Sequence, residues 1–421
     1  MSDRGRRAAR KILFIALALA LSVVAVELIL RVAAAVIPEV DAILGSGTSP
    51  TVPDPVLGHR PAPQMSDSDT TGFRNPRRPR SVAVVAIGDS QTYGTGVTRQ
   101  DSWPHVLDVE HGIPTYSMAY GGYGVTHYLV LAREALEQLD PELIVVAIYP
   151  GNDLLDSWRM VHQRGQLQEL LPDGADALGS TDDRSGEPPP QSEWLRLREA
   201  TAGTDRGVGS LRTALARHTR LYGLARAVKR TAARSFVSGA GLERTDPDPD
   251  VVRATVAEAD PDMLFPVRVG AVTTVLTPGA RRAVVDLSDA RIREGLRLSL
   301  EAIRRLQSEA SKNGVRVVLL LIPTKEHVFA PWVDVADGVN VVRQLVDDET
   351  RIWGEFTALC DDLDLDCINA LGGLRGAVQD GSNPYFSDWD GHPSKLGHRV
   401  IAGAVAASVE MRDLPSRRSS D

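Results

Sequence analysis

Two short segments, Ser81–Ile87 and Glu142–Tyr149, are almost wholly apolar and show no polar alternation. A strand of that kind is buried on both faces, which confines it to a parallel sheet covered by helices. Between them lie a strand candidate at Pro114–Met118 and a helical stretch at Thr126–Gln138, so the rhythm is β-α-β-α-β and the class α/β. The pattern breaks between about Leu155 and Ser288. It resumes with a helix at Ala290–Lys312, a strand at Val315–Ile322, a helix at Val341–Leu363, a strand at Leu365–Asn369 and a last helix from about Lys395 to Val409. The flanking pieces, 81–154 and 289–411, sum to roughly 200 residues, the size of one domain. Residues 155–288 then read as an inserted lobe and 412–421 as a disordered tail.

The N-terminal region carries a different signal. Arg4, Arg6, Arg7, Arg10 and Lys11 precede Ile12–Leu30, an apolar run broken only by Ser22 and Glu27. That length suits a helix crossing a bilayer, and the basic tract is expected to stay on the cytoplasmic side. The run is longer than the core of a signal peptide, and Arg31 falls where a neutral cleavage region belongs, so an uncleaved single-pass anchor is expected rather than a cleaved leader. The expected order is a cytoplasmic tail over 1–11, an anchor over 12–37, a stalk or wrapping arm over 38–80, and an extracytoplasmic remainder. Within the insertion, 172–210 reads as a surface loop, Leu211–Ser235 as a basic helix, and Val267–Asp286 as a hairpin around Pro278 and Gly279.

Composition excludes several functions. With 47 basic against 55 acidic side chains the net charge is −8, without the basic footprint that nucleic-acid binding needs. Two cysteines exclude a disulfide scaffold, and the nine histidines show no metal-ligand spacing, so neither a metal nor another cofactor is expected. Cys360 and Cys367 are close enough in sequence to pair outside the cytoplasm.

Gly88-Asp89-Ser90 stands directly after the first buried strand. A serine at the carboxyl edge of a parallel strand sits where ligands bind in open α/β sheets. Three further polar loops follow strands or precede the last helix: Gly121-Gly122-Tyr123-Gly124, Gly151-Asn152-Asp153 and Asp390-Gly391-His392-Pro393. Attack by a serine on an acyl carbon needs a base for its proton and donors for the developing oxyanion. His392 can be the base, an acid just before it can orient the ring, and a glycine amide and the Asn152 carboxamide can be the donors. Taken singly, each loop is also an ordinary turn or cap.

These four blocks resemble, in order and spacing, those of the SGNH/GDSL hydrolases, a flavodoxin-like α/β family of esterases and acyl-transfer enzymes. The resemblance implies a three-layer sandwich with a central parallel sheet, Ser90 as nucleophile, His392 as general base, and an oxyanion hole from the Ser90 and Gly122 amides and Asn152, with Gly121 as the alternative glycine. The family commonly places its acid three residues before the histidine, which here is Trp389. Asp390 lies two before and Asp388 four before; the shorter spacing resembles alginate-acetylation relatives, so Asp390 is taken as the acid with Asp388 as the alternative. The anchor, Gly72-Phe73-Arg74 and Pro323-Thr324-Lys325-Glu326 look like the membrane-anchored bacterial branch, which includes carbohydrate O-acetylation factors. The implied activity is cleavage of acyl, above all acetyl, esters of a glycan or envelope substrate. The alternatives are transfer of the acyl group to a polysaccharide hydroxyl, with a membrane partner supplying the donor, and an inactive glycan-binding assembly subunit.

Lys325 and Glu326 end a buried strand on the same rim, where they read either as substrate contacts or as a solvated turn. Trp103, Trp158 and Trp389 read as packed aromatics more readily than as sugar platforms.

Overall fold

The computed structural model describes residues 22, 25–31, 51–63, 67–172, 244–246, 248–257, 259–260, 263–333 and 340–410. The basic helix at 211–235, the tail, the first part of the stalk and most of the anchor therefore lie outside the described residues. Among those that are described near the N-terminus, 25–31 are helical, with Arg31 paired to Glu27 at 2.8 Å. No helix among the described residues is long and apolar enough to cross a membrane.

A small two-stranded sheet, β1 (Thr51–Asp54) and β2 (Gly58–Pro61), precedes the main sheet. That sheet has five parallel strands: β3 (Val84–Gly88), β4 (Thr115–Ala119), β5 (Leu143–Ile148), β8 (Arg316–Leu321) and β9 (Asp366–Asn369), in the order β4-β3-β5-β8-β9. The chain leaves β3 to one side for β4 and returns to the other for β5. That reversal opens a crevice at the carboxyl ends of the strands, the place where sheets of this topology bind ligands.

Helices cover both faces because successive strand residues point in opposite directions. Val85, Ile87, Ile144, Val146, Val317 and Leu319 join one core with α3 (Val125–Gln138), α4 (Asp153–Trp158), α7 (Ala290–Lys312) and α9 (Asn340–Leu363). Val84, Ala86, Leu143, Val145, Val318 and Leu320 join the other with α2 (Trp103–Val109), α8 (Lys325–Phe329), α10 (Leu371–Gln379) and α11 (Lys395–Glu410). The central strands β3 and β5 can thus be apolar throughout, whereas β4 and β9 carry Thr115, Ser117, Asp366 and Asn369. A Cys360–Cys367 disulfide ties α9 to β9.

Two expectations change and one alternative is decided. Of stalk and wrapping arm, the segment is an arm from Val52 onward, packing on the five-stranded unit and burying Leu57, Phe73, Arg74 and Asn75. Arg74 explains why: its guanidinium donates to the carbonyls of Tyr93, Gly94 and Val97 at 3.1, 2.8 and 2.9 Å, which satisfies the loop that follows Ser90. The insertion is no separate lobe in its described parts, since Met160, Val161 and Leu170 enter the first core and the described residues from Arg244 onward belong to the same compact unit. The hairpin consists of β6 (Phe265–Val269) and β7 (Val272–Leu276), and turns at Gly270, whose φ is 58°. Pro278 and Gly279 instead open a short helix, α6 (Pro278–Arg282), consistent with proline's preference for a first helical turn.

Helix α7 is fixed by periodicity, burying Ile292, Leu296, Ser299, Ile303, Leu306 and Ala310, with Asp289 capping its N-terminus by accepting from the Arg291 amide at 2.8 Å. Gly295 lies against the carbonyl of Leu154 on α4, so closely that a Cβ there overlaps the backbone. Alanine is the better helix former, but here it forces two helices apart. Gly295→Ala should therefore lower stability by about 1–3 kcal/mol, read from urea denaturation; a stabilised variant would show the contact to be loose.

Candidate active site

Ser90 opens a single-turn helix, α1 (Ser90–Tyr93), directly after β3. Asp89 caps that turn by accepting from the Gln91 amide at 2.8 Å, and Gly94 ends it in the left-handed region at φ 80°, its amide donating to the Ser90 carbonyl at 3.1 Å. The turn is tight at its start as well, since a Cβ on Gly88 would overlap the Thr92 side chain. Ser90 is thereby presented at the rim, half-buried, with its backbone fixed on both sides.

His392 reaches it from the loop before α11. The Nε2 atom of His392 lies 2.9 Å from the Ser90 hydroxyl and Nδ1 lies 2.6 Å from Asp390 Oδ1, while the His392 amide donates to the same carboxylate oxygen at 2.9 Å. Burial alone pushes the Asp390 carboxyl up, but the His392 ring, its amide and the Arg244 guanidinium together outweigh it and hold the acid well below the usual carboxylate range. An ionised Asp390 makes Nδ1 the protonated nitrogen, so Nε2 accepts from the Ser90 hydroxyl.

Asp388 does not touch the ring. It accepts from the Asp390 amide at 3.0 Å and pairs with Arg244, whose other terminal nitrogen pairs with Asp390. Arg244 also lies over the Phe386 ring, 4.9 Å from its centroid. Nothing in the sequence distinguishes this arginine within the polar insertion.

Lys325 corrects the reading of a substrate contact. Its side chain is wholly buried, and Nζ donates to the carbonyls of Phe386, Asp388 and Asp390 at 2.9, 2.5 and 3.1 Å, which uses every N–H it has. Burial pushes its pKa down to about 8. Glu326 is likewise buried, accepting from the Thr277 amide at 2.8 Å and hydroxyl at 3.1 Å. Both residues stand in the first turn of α8, four or five positions beyond the end of β8 where sequence had placed them, and both turn inward.

The remaining polar loops come to the same rim. Asn152 stands just before α4 without a side-chain capping bond, and its carboxamide donates to the Tyr123 carbonyl at 3.2 Å and to Asp156 at 3.3 Å. Gly121 faces Ser90, for a Cβ on it would stand 3.8 Å from that of the serine, whereas a Cβ on Gly122 would stand 3.7 Å from His59. The three tryptophans stay away from the relay: Trp103 is in the core, Trp158 stacks on His162 with centroids 5.8 Å apart, and Trp389 packs on the Val252, Leu264 and Val275 cluster. No group of metal-ligating side chains occurs among the described residues.

No protein-family model matches the sequence, and no curated protein matches it. Solved structures do. The chain is similar to a member of the lipolytic protein G-D-S-L family from Veillonella parvula, at 11% identity over 79% of this chain and 99% of that one, with a TM-score of 0.34. It is similar to an extracellular lipase from Streptomyces rimosus, at 11% identity over 78% and 100%, TM-score 0.36. It also overlaps a carbohydrate esterase family 2 enzyme with its carbohydrate-binding domain from Myceliophthora fergusii, at 10% identity over 79% and 67%, TM-score 0.29. At scores this low the overlap decides nothing about activity or substrate.

Asp89 yields a pH prediction. It is wholly buried behind Ser90, and burial raises its pKa from 3.8 to about 6 against the pull of the Gln91 amide. The folded chain therefore binds the extra proton between those values; the contribution to stability is complete below the lower one and is lost as pH rises through the upper one. Asp89→Asn keeps a capping acceptor and removes the titration. Denaturant midpoints measured from about pH 4 to about pH 7 should fall less steeply in the variant than in the wild type. Parallel profiles would exclude Asp89 as the titrating group.

Proposed function

We propose that this chain is a serine esterase of the SGNH/GDSL type, working through an acyl-enzyme. The observation that carries the reading is the unbroken relay from Ser90 through His392 to Asp390, with contacts of 2.9 and 2.6 Å. In this reading His392 Nε2 takes the Ser90 proton as Oγ attacks the acyl carbon, and Asp390 stabilises the imidazolium that forms. The amides of Ser90 and Gly122 and the Asn152 carboxamide receive the oxyanion; Asn152 gives up one of its present acceptors to do so. His392 then protonates the departing alcohol, and water, deprotonated by the same ring, releases the acid.

The finer reading is a single-pass membrane protein whose catalytic domain faces outward and removes acetyl groups from a glycan or envelope ester. The basic tract before Ile12–Leu30 supports the orientation, and the Cys360–Cys367 disulfide suits an oxidising compartment. Acyl transfer to a polysaccharide hydroxyl is the second reading. It is favoured by the Asp-x-His spacing shared with alginate-acetylation relatives, and calls for a membrane partner that delivers the donor. Both pass through the same acyl-enzyme, so the deciding experiment incubates the full chain in detergent with a chromogenic acetyl ester, with and without a polysaccharide. Free acetate in both arms supports the esterase; acetylated polysaccharide supports the transferase; no release of chromophore overturns both.

Ser90→Ala should abolish turnover and fluorophosphonate labelling with little loss of stability, because the side chain fills no core; residual labelling would place the nucleophile elsewhere. Asn152→Ala should cost ~10²–10³ in kcat, and an effect confined to KM would make Asn152 a binding residue. Asp390→Asn should cost on the order of 10⁴ in kcat, whereas Asp388→Asn, which leaves the ring contact intact, should cost about tenfold or less. The reverse ranking would reassign the orienting acid.

A further inference from the structure

The peptide joining Gly121 to Gly122 has Ser90 on one side and His59 on the other, as the directions of the two missing Cβ atoms show. His59 Nε2 lies 3.1 Å from the Gly121 carbonyl oxygen, and a carbonyl can only accept, so the ring nitrogen donates. No cis peptide occurs among the described residues. In a trans peptide the carbonyl and the following N–H point in opposite directions. With its carbonyl turned to His59, this peptide directs the Gly122 N–H away from the imidazole, while Gly121 beside it faces Ser90.

The imidazole is itself fixed. Its ring packs against Tyr120 and Tyr123 with centroids 5.8 and 5.2 Å away, and the Tyr123 hydroxyl donates to the His59 carbonyl at 2.8 Å. Gly122 can take up the required turn because its φ is 80°, a region that other residues rarely enter. A donor on the carbonyl of a peptide also polarises its N–H, since hydrogen bonds in a chain reinforce each other. Oxyanion stabilisation depends on donors aimed before the reaction begins.

We propose that His59, on the strand β2 that precedes the catalytic core, is a positioning residue that aims and polarises the Gly122 amide as an oxyanion donor. The inference rests on the esterase reading and adds to it a residue that none of the four sequence blocks contains. It also separates the two glycines: Gly121 supplies the carbonyl that is held, and Gly122 the amide that acts.

The test uses the full chain in detergent with p-nitrophenyl acetate and an aryl boronic acid, whose tetrahedral serine adduct places an oxygen in the hole. His59→Leu removes the donor, and His59→Gln offers an amide nitrogen in its place. Expected for His59→Leu is a loss of about tenfold in kcat, with KM within about twofold and boronic acid affinity falling by the factor seen in kcat; His59→Gln should recover most of both. An active wild type with an indifferent His59→Leu variant overturns the role of His59 alone. So does a loss that appears in KM, or one that glutamine fails to restore. A wild type that hydrolyses nothing overturns the esterase reading and this inference with it.

Discussion

A buried ammonium group holds the catalytic loop. Lys325, the first residue of α8, donates to three carbonyls between Phe386 and Asp390, the stretch that carries Asp390 and, two residues on, leads to His392. A loop with its carbonyls turned inward is otherwise costly to bury, because each unpaired group forfeits its hydration. One cation satisfying all three lets the loop cross the rim without regular structure. The hairpin adds to the support, with the Thr274 hydroxyl donating to the Phe386 carbonyl at 2.9 Å and the Val275 amide to that of Asp388 at 3.4 Å. The 386–390 loop is thereby held from two sides, by α8 and by the hairpin, just before it reaches His392.

Charge is arranged in the same layered way. Arg244 faces Asp388 and Asp390 from outside the loop, while Lys325 lies beneath it, so two cations flank a pair of carboxylates that would otherwise repel each other. Behind Ser90 the balance is reversed. Asp153 is wholly buried, and burial together with the nearby Asp89 carboxyl holds its pKa well above the ordinary value. It accepts from the Tyr149 amide and the Tyr128 hydroxyl, both at 2.8 Å, which ties the start of α4 to the end of β5. Negative charge is thus stabilised beside the His392 ring and disfavoured directly behind Ser90, the polarity that the proposed oxyanion-building reaction calls for.

The middle of the sheet was legible because β3 and β5 are buried throughout and so lack polar residues, and all five main-sheet strands overlap the segments read from sequence, β3 and β4 each running one residue further. Three of the four polar loops were legible because Gly, Asn or Asp turns close β3, β4 and β5, which a continuing strand excludes, and the fourth because it precedes the last helix. Direction was not legible. Lys325 follows a strand just as a solvated charge does, and only the tertiary path of residues 386–390 turns it inward. Contacts across long separations escaped for the same reason: Arg244 lies in a polar stretch, and His59 in one whose pattern suggested a stalk, yet each meets a loop at least 62 positions away. Propensity and periodicity report local structure, whereas the positioning of this site is mostly non-local.

The spacing of the acid has a local cause. In Asp388-Trp389-Asp390-Gly391-His392 each aspartate accepts, through Oδ1, from the amide two residues ahead: Asp388 from Asp390 at 3.0 Å and Asp390 from His392 at 2.9 Å. Aspartate forms such turns readily because its short side chain reaches its own backbone at that distance. The second turn brings a carboxylate oxygen to the histidine's own amide, and the same oxygen then lies 2.6 Å from the ring. An acid at this position needs no help from another strand to find the imidazole. One placed four residues back, as Asp388 is, has its Oδ1 engaged by the Asp390 amide and supports the acid at one remove.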